Sequence, residues 1–274
     1  MKISIIIPAR YGSTRLPAKP LQLVCGQSIL QRVVAIAKAV ARVVPEVSIV
    51  VATDDIQIAH HCDELRVEWV LSPAELVSGT DRVAYTIAKI QNKPELILNL
   101  QGDAALTPPH ILIAMIAEFK AKNCDVITPV TQLSWVQLDS LRCDKLITPF
   151  SGTTAVFAKD SGKAWWFSKN ILPAIRNEDQ MRIESYMSPV FRHIGLYGYT
   201  EAVLAAYADL SISEFESLEG LEQLRLLEHG YTICCVPVDF KNYANMSGID
   251  SPADVIRAEK LILEYGELFD GVDL

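Results

Sequence analysis

The sequence predicts an α/β fold, an open and mainly parallel sheet carrying an antiparallel insertion. Short apolar runs (Ile3 to Ile7, Val47 to Ala52, Glu95 to Leu100, Asp125 to Thr131) have the continuous hydrophobicity of strands buried on both faces. Stretches with apolar residues at helical spacing separate them, so strand and helix alternate about every 20 to 25 residues as far as residue 131, with right-handed crossovers expected. From Gln132 to Arg192 the rhythm breaks, and Trp135, Trp165, Trp166 and short runs such as Thr153 to Ala158 suggest antiparallel ribbons.

Taken in order, the first strand stops at Pro8, where the composition turns to Arg, Gly, Ser and Thr. Ile29 to Arg42 repeats apolar residues at helical spacing without proline and forms the first crossover helix. After the strand at Val47 comes the polar turn Thr53-Asp54-Asp55 and a short helix with Ile58, Ala59 and Cys62. Val67 to Leu71 is a further strand, and Thr80 can cap a helix running to about Gln91. Pro108 opens a long helix as its first residue. After the irregular middle, His193 to Tyr199 is extended, helices start near Glu201 and span Leu218 to His229, and Tyr231 to Val236 is a late strand. Ser251-Pro252-Ala253-Asp254 then marks the start of a last helix, reaching about Tyr265 before a short acidic tail.

Half of the 274 residues are hydrophobic, and the formal net charge is −8, which argues against a nucleic-acid-binding surface. The six cysteines show no C-x-x-C or Cys/His spacing, so a zinc site is not expected and the thiols should be reduced and mostly buried. Neither a secretory pattern nor an 18-residue apolar stretch is present, so the expectation is a cytoplasmic protein without membrane insertion.

Within this acidic chain the first strand delivers a basic loop, Pro8 to Lys19, with Arg10, Arg15 and Lys19 spaced by Gly12, Ser13, Thr14 and Ala18. Small residues let backbone N–H groups approach an anion closely, and the three cations suit a polyphosphate. The same composition would serve a solvated surface loop; the position beyond the carboxyl end of a central strand favours the ligand. The spacing is neither a Walker pattern nor Gly-x-Gly-x-x-Gly. Asp103, after the strand ending at Leu100, and Asp250, before the last helix, are candidate Mg²⁺ ligands, since this cation takes one or two carboxylates and fills its shell with water and phosphate oxygens. Turn or cap roles are the competing readings for both. Cations facing an acid and a metal describe nucleotidyl transfer, so Arg10, Lys19 and Asp103 are the expected catalytic residues. Among the histidines His193 is the candidate for an acid-recognising pocket, with a structural role as the alternative.

Seven stretches in register, PARYGSTRLPAKPL, SGTDR, NLQGD, FSKNILP, RHIGLYGY, LEGLEQLRLLEHG and GIDSPADV, resemble the 3-deoxy-manno-octulosonate (Kdo) cytidylyltransferases, the CMP-Kdo synthetases. The resemblance runs from Ile3 to about Glu259 and is weakest between Gln132 and Trp166. It implies a Rossmann-like nucleotide-diphospho-sugar transferase fold, a homodimer, and Mg²⁺-dependent coupling of CTP to the anomeric hydroxyl of Kdo for lipopolysaccharide synthesis. A single domain over 1–274 is expected, with a nucleotide-binding half (1–131), a sugar-binding and dimerising part (132–250) and a C-terminal helix and tail (251–274). By the same resemblance Pro8, Ala9, Arg10, Ser13, Arg15 and Lys19 bind the nucleotide, and Ser78, Gly79, Thr80 and Gln101 form the cytidine pocket. Asp103 and Asp250 bind metal, and Lys169, His193, Tyr197, Glu222 and Gln223 line the sugar pocket. The chain departs from the family pattern at Ala104, where an acid is usual, and at Lys169, where arginine is usual, and it lacks a clear Asn-x-Val-Lys stretch. An amino-Kdo or other nonulosonic acceptor, or a non-catalytic nucleotide-binding role, are the alternatives these departures raise.

Overall fold

The structure is a computed structural model describing residues 1–12, 15–76, 78–122, 124–240 and 248–269. In chain order the strands are β1 (Ile3–Ala9), β2 (Leu23–Val24), β3 (Gln27–Ser28), β4 (Val47–Thr53), β5 (Glu68–Leu71), β6 (Leu96–Asn99), β7 (Val126–Ser134), β8 (Thr154–Phe157), β9 (Ala164–Ser168), β10 (Met187–His193), β11 (Tyr197–Tyr199) and β12 (Ile233–Pro237). The helices are α1 (Ile29–Val43), α2 (Ile56–Glu64), α3 (Gly79–Lys89), α4 (Pro109–Ala121), α5 (Trp135–Ile147), α6 (Glu178–Glu184), α7 (Glu201–Tyr207), α8 (Glu214–Glu219), α9 (Glu222–Glu228) and α10 (Pro252–Tyr265). The chain divides into two compact units.

The first unit comprises Met1–Ala117, Leu196–Ala208 and Phe240–Leu274. Its sheet has the order β5-β4-β1-β6-β11, with the first four strands parallel and β11 antiparallel to β6. All seven residues of β1 are buried, as an apolar strand flanked by helices on both faces requires. Helix α1 is capped by Ser28, whose Oγ accepts the Gln31 N–H at 2.9 Å, and Ser28 in turn is hydrogen-bonded to His61 at 2.7 Å. The last helix starts as expected: Ser251 and Asp254 form a capping box, with Pro252 at the first position.

The second unit, Glu118–Gly195 and Asp209–Asp239, holds the insertion. Strand β12 runs parallel to the first part of β7, and β10, β8 and β9 follow in antiparallel succession, so the expected ribbons are present. Two helices were not expected there. Helix α5 is built on Trp135, Leu138 and Leu141, which pack with Leu133 and Val190 into a small core covered by Ile171, Ile175 and Met181. Its start signal was present, since Ser134 and Gln137 satisfy each other's backbone N–H groups in a capping box.

Three local expectations are corrected. Helix α3 is capped by Ser78, which exchanges hydrogen bonds with Asp81, and Thr80 lies inside the helix. Helix α4 starts at Pro109, one residue after Pro108. The helix expected over Leu218 to His229 is two helices, because Gly220 adopts a left-handed conformation (φ 63°) that ends α8 and Leu221 is extended before α9. All six cysteines are free thiols, with Cys143 exposed and Cys25 half-buried. No helix among the described residues is long and apolar enough to cross a membrane.

Candidate active site

A cavity of about 240 Å³ opens in the first unit beyond the carboxyl ends of β1 and β6, where open α/β sheets bind ligands. Its lining brings together Pro8, Ala9, Arg10, Lys19, Ser78, Gly79, Gln101, Asp103 and Asp250 from the sequence-based set. These residues are far apart in the chain, and each arrives by a definite local device. Lys19 opens a single 3-10 turn (Lys19–Leu21) after Ala18, whose left-handed backbone (φ 49°) turns the loop inward. Gly102 lets β6 end against β1: a Cβ there would stand 2.5 Å from the Pro8 carbonyl oxygen. Asp250 is drawn to Asp103 because the Ile249 N–H donates to the Asp103 carbonyl at 3.1 Å, while Gly248 leaves room for the Asp103 carboxylate, 3.1 Å from where a Cβ would be.

The two acids meet on one cation. Lys19 Nζ donates to Asp103 Oδ2 at 2.6 Å and to Asp250 Oδ1 at 3.0 Å, and Arg15 approaches the same Asp250 oxygen at 3.2 Å. Lys19 and Asp103 are 17% and 24% exposed, Asp250 42%, so the inner pair is the less screened one. Burial pushes the Asp103 carboxyl up from its usual range, and the neighbouring Lys19 ammonium opposes that rise. Burial acts downward on Lys19, but Asp103 and then Asp250 outweigh it and the ammonium is held above its ordinary value.

On the other wall, the N-terminus of α3 presents Ser78 and Gly79, and Gly79 faces the Gln101 amide, whose oxygen lies 2.9 Å from its would-be Cβ position. Gln101 Nε2 donates to Asn99 Oδ1 at 3.1 Å, which orients that amide. Thr80 is buried within α3. Ser13 lies outside the described residues. Arg82, within the motif SGTDR, also lines the cavity without being among the expected site residues; its place one turn after Ser78 is the signal in the sequence. It is 3% exposed and pairs with Asp54 at 3.1 Å.

In the second unit Lys169, His193, Glu222 and Gln223 stand on or beside β9, β10 and α9, while Tyr197 belongs to β11 of the first unit, its ring stacked 5.8 Å from Tyr199. Glu219 holds the chain at Lys169, accepting the Ser168 hydroxyl at 2.7 Å and the Lys169 N–H at 2.6 Å. His193 Nε2 is hydrogen-bonded to Thr128 at 2.8 Å, and Phe167 meets its ring edge-on at 5.1 Å. Burial, reinforced by Lys169, pulls the His193 imidazole down to about 3, so it is neutral at ordinary pH. Lys145 donates to the carbonyls of Pro149, Ser151, Gly152 and Lys169, and burial with the nearby Lys169 and Arg192 charges lowers its ammonium. Lys145, Lys169 and Arg192 thus gather with one carboxylate, Glu219, near the neutral imidazole, leaving an excess of positive charge that suits an anion.

The Cytidylyltransferase family matches residues 4–233. The 3-deoxy-manno-octulosonate cytidylyltransferase of Maricaulis maris is 37% identical over 270 residues, covering 98% of this chain and all of that one. The enzyme of the same name from Anaeromyxobacter sp. is 36% identical over 95% of this chain and 97% of its own. Among solved structures, a CMP:2-keto-3-deoxy-manno-octonic acid synthetase complexed with CTP superposes with a TM-score of 0.82 at 27% identity, covering 96% of this chain and 99% of that one. A 4-diphosphocytidyl-2C-methyl-D-erythritol synthase from Anaerococcus prevotii shares the fold, with a TM-score of 0.57 at 12% identity over 96% of this chain and 98% of its own. Matched along nearly its whole length, the chain belongs to the 3-deoxy-manno-octulosonate cytidylyltransferase family.

Proposed function

We propose that this chain is a nucleotidyltransferase that couples CTP to the anomeric hydroxyl of 3-deoxy-manno-octulosonate, releasing pyrophosphate and forming the CMP-sugar used for lipopolysaccharide. The observation that carries the reading is the meeting of Asp103 and Asp250 on Lys19 in a cavity walled by the basic loop and the Ser78-Gly79 turn. Arg10 and Lys19 neutralise the triphosphate and hold its α-phosphorus for in-line attack; the anomeric oxygen bonds to that phosphorus and releases its proton to solvent, the bond to the bridging oxygen breaks, and the charge that builds on the leaving pyrophosphate is met by the same cations. Gln101 and the α3 turn hold the base, and the neutral His193 with Lys169 offers hydrogen bonds and charge to the acid substrate.

The residues present fit Mg²⁺. Two carboxylates converge on one cationic group and offer hard oxygen donors, the one or two carboxylates that this cation takes alongside water and phosphate oxygens. Asp103 and Asp250 would hold the ion, which supplies charge neutralisation at the phosphates.

A homodimer is supported by exposed large apolar side chains on α5, the turn after it, α6 and the residue before β10, among them Leu146, Ile147, Phe150, Ile183 and Tyr186. Light scattering at micromolar protein tests it. The six free thiols fit the reducing cytoplasm.

Pyrophosphate release with CTP, Mg²⁺ and 3-deoxy-manno-octulosonate, alongside ATP, GTP and UTP, tests the activity. Release with CTP alone is expected, and Asp103→Ala should abolish it while the protein stays folded. Turnover only with an amino-Kdo or another nonulosonic acid would change the acceptor. CTP binding without turnover on any sugar acid would favour the non-catalytic alternative, which the retained Lys19, Asp103 and Asp250 argue against.

A further inference from the structure

Asp54, just beyond β4, lines no part of the cavity, yet each of its carboxylate oxygens holds a segment that does. Oδ1 accepts the Tyr11 N–H at 3.1 Å, fixing the backbone next to Arg10 in the phosphate-binding loop. Oδ2 accepts from Arg82 Nη2 at 3.1 Å. Arg82 is itself a hub: its guanidinium donates to Ser72 Oγ and to the Pro73 and Leu76 carbonyls at 3.4 Å, and Ser72 Oγ donates back to the Thr53 carbonyl at 2.9 Å. The segment so held leads directly into the Ser78 cap and the base-binding turn. Asp54 and Arg82 are 12% and 3% exposed, so the bonds are weakly screened and charge-assisted.

One carboxylate therefore joins Tyr11 of the basic loop, 43 residues before it, to Arg82 of helix α3, 28 residues after it, and both segments contribute residues to one cavity. We propose that Asp54 is a positioning residue that couples the phosphate-binding loop to the base-binding turn, setting their separation so that a whole cytidine triphosphate engages both at once. This rests on reading the cavity as a CTP site. A ligand that must span two loops gains when their spacing is fixed beforehand, because the ordering cost is not charged to binding. A ligand that touches one loop gains only from that loop's own anchor.

The test measures affinities of CTP, CMP and tripolyphosphate by calorimetry for the wild type, Asp54→Asn and Asp54→Ala, with thermal melting as the check on folding. If the wild type binds no CTP, the CTP reading fails before any variant is judged. Asparagine keeps an acceptor for the Tyr11 N–H but sets an amide against Arg82. The expected result for Asp54→Asn is CMP affinity about tenfold weaker or more, the scale of one lost charge-assisted hydrogen bond, with tripolyphosphate within about twofold. In Asp54→Ala both halves weaken and CTP weakens by more than either. In turnover the KM for CTP rises while kcat at saturation stays within about threefold, since Asp54 touches no reacting atom. Equal losses for CMP and tripolyphosphate in Asp54→Asn, or no loss in either, overturn the proposal. Asparagine keeps the volume and one acceptor but leaves the buried Arg82 charge without its carboxylate, so its melting temperature should fall, and affinities are compared at a temperature where thermal melting shows the variant folded.

Discussion

Replacing Lys19 by methionine keeps the stem and removes the ammonium from between two carboxylates. The bonded oxygens of Asp103 and Asp250 stand 2.6 and 3.0 Å from Nζ, so they are at most the sum of those distances apart. Two unit charges about 5.6 Å apart repel by about 3 kcal/mol at an effective dielectric of 20 and by less than 1 kcal/mol in water. Asp250 is 42% exposed, which places the pair between those limits, at about 1–2 kcal/mol. For a chain of this size that lowers Tm by about 3–6 °C. If the acids are the metal ligands, millimolar Mg²⁺ replaces the lost cation and restores much of the Tm in Lys19→Met, with little effect on the wild type. Pyrophosphate release nevertheless falls by about 10²-fold or more, because the ammonium's contact with the triphosphate is not replaced. The assays are differential scanning fluorimetry across a Mg²⁺ series and coupled pyrophosphate detection. A Lys19→Met protein that melts with the wild type at every Mg²⁺ concentration and keeps over a tenth of its rate would refute the argument.

Gly102→Ala sets a Cβ 2.5 Å from a backbone carbonyl and should cost about 2–3 kcal/mol, lowering Tm and weakening CTP together. Gly79→Ala meets the movable end of the Gln101 side chain at 2.9 Å and Pro8 Cγ at 3.4 Å, with no backbone atom among its nearest neighbours, so Tm should hold while CTP affinity falls; equal Tm losses in the two variants would contradict this. His193 is held down to about 3, so below its ordinary 6.5 the unfolded chain binds the proton first, and stability falls as pH drops from 6.5 towards 3. Allowing for a half-buried ring, about 1 kcal/mol is lost by pH 5, and His193→Gln should flatten that slope in urea titrations. Identical slopes would show that His193 carries none of it.

The placement of side chains at strand ends was the most legible part of the site in the sequence. Asp103 and Asp250 lie 84 and 231 residues from Lys19, yet the acids sit where a buried apolar run and a helix cap announce element boundaries and Lys19 lies in the basic loop that follows β1, and parallel topology sends strand ends to one side of the sheet. Arg82 was passed over because its role depends on Asp54 and Ser72, partners no local pattern reveals. Helix α5 was missed for a different reason: three tryptophans and scattered charges masked a Ser134/Gln137 box and a Trp135, Leu138, Leu141 stripe whose apolar face is only three residues wide. Gly220 shows the reverse error, where helical periodicity continued across a residue whose φ of 63° breaks the helix.

The departures at positions 104 and 169 have unequal weight in this structure. Ala104 lies in the turn after Asp103, where its N–H donates to the Gln101 carbonyl at 3.0 Å, and its side chain is not among those lining the cavity. The missing acid there leaves the Lys19–Asp103–Asp250 contacts whole. Lys169 is different, because its ammonium acts electrostatically on His193 and Lys145, and burial lowers its own ionisation. Arginine would keep its charge at any working pH and offer a planar fork to a carboxylate, whereas lysine gives a single point charge that burial already disfavours. Lys169→Arg should therefore lower the KM for the sugar acid and leave the KM for CTP unchanged, as steady-state kinetics with each substrate varied in turn would read. A change confined to CTP would place Lys169 on the nucleotide side and remove it from acid recognition.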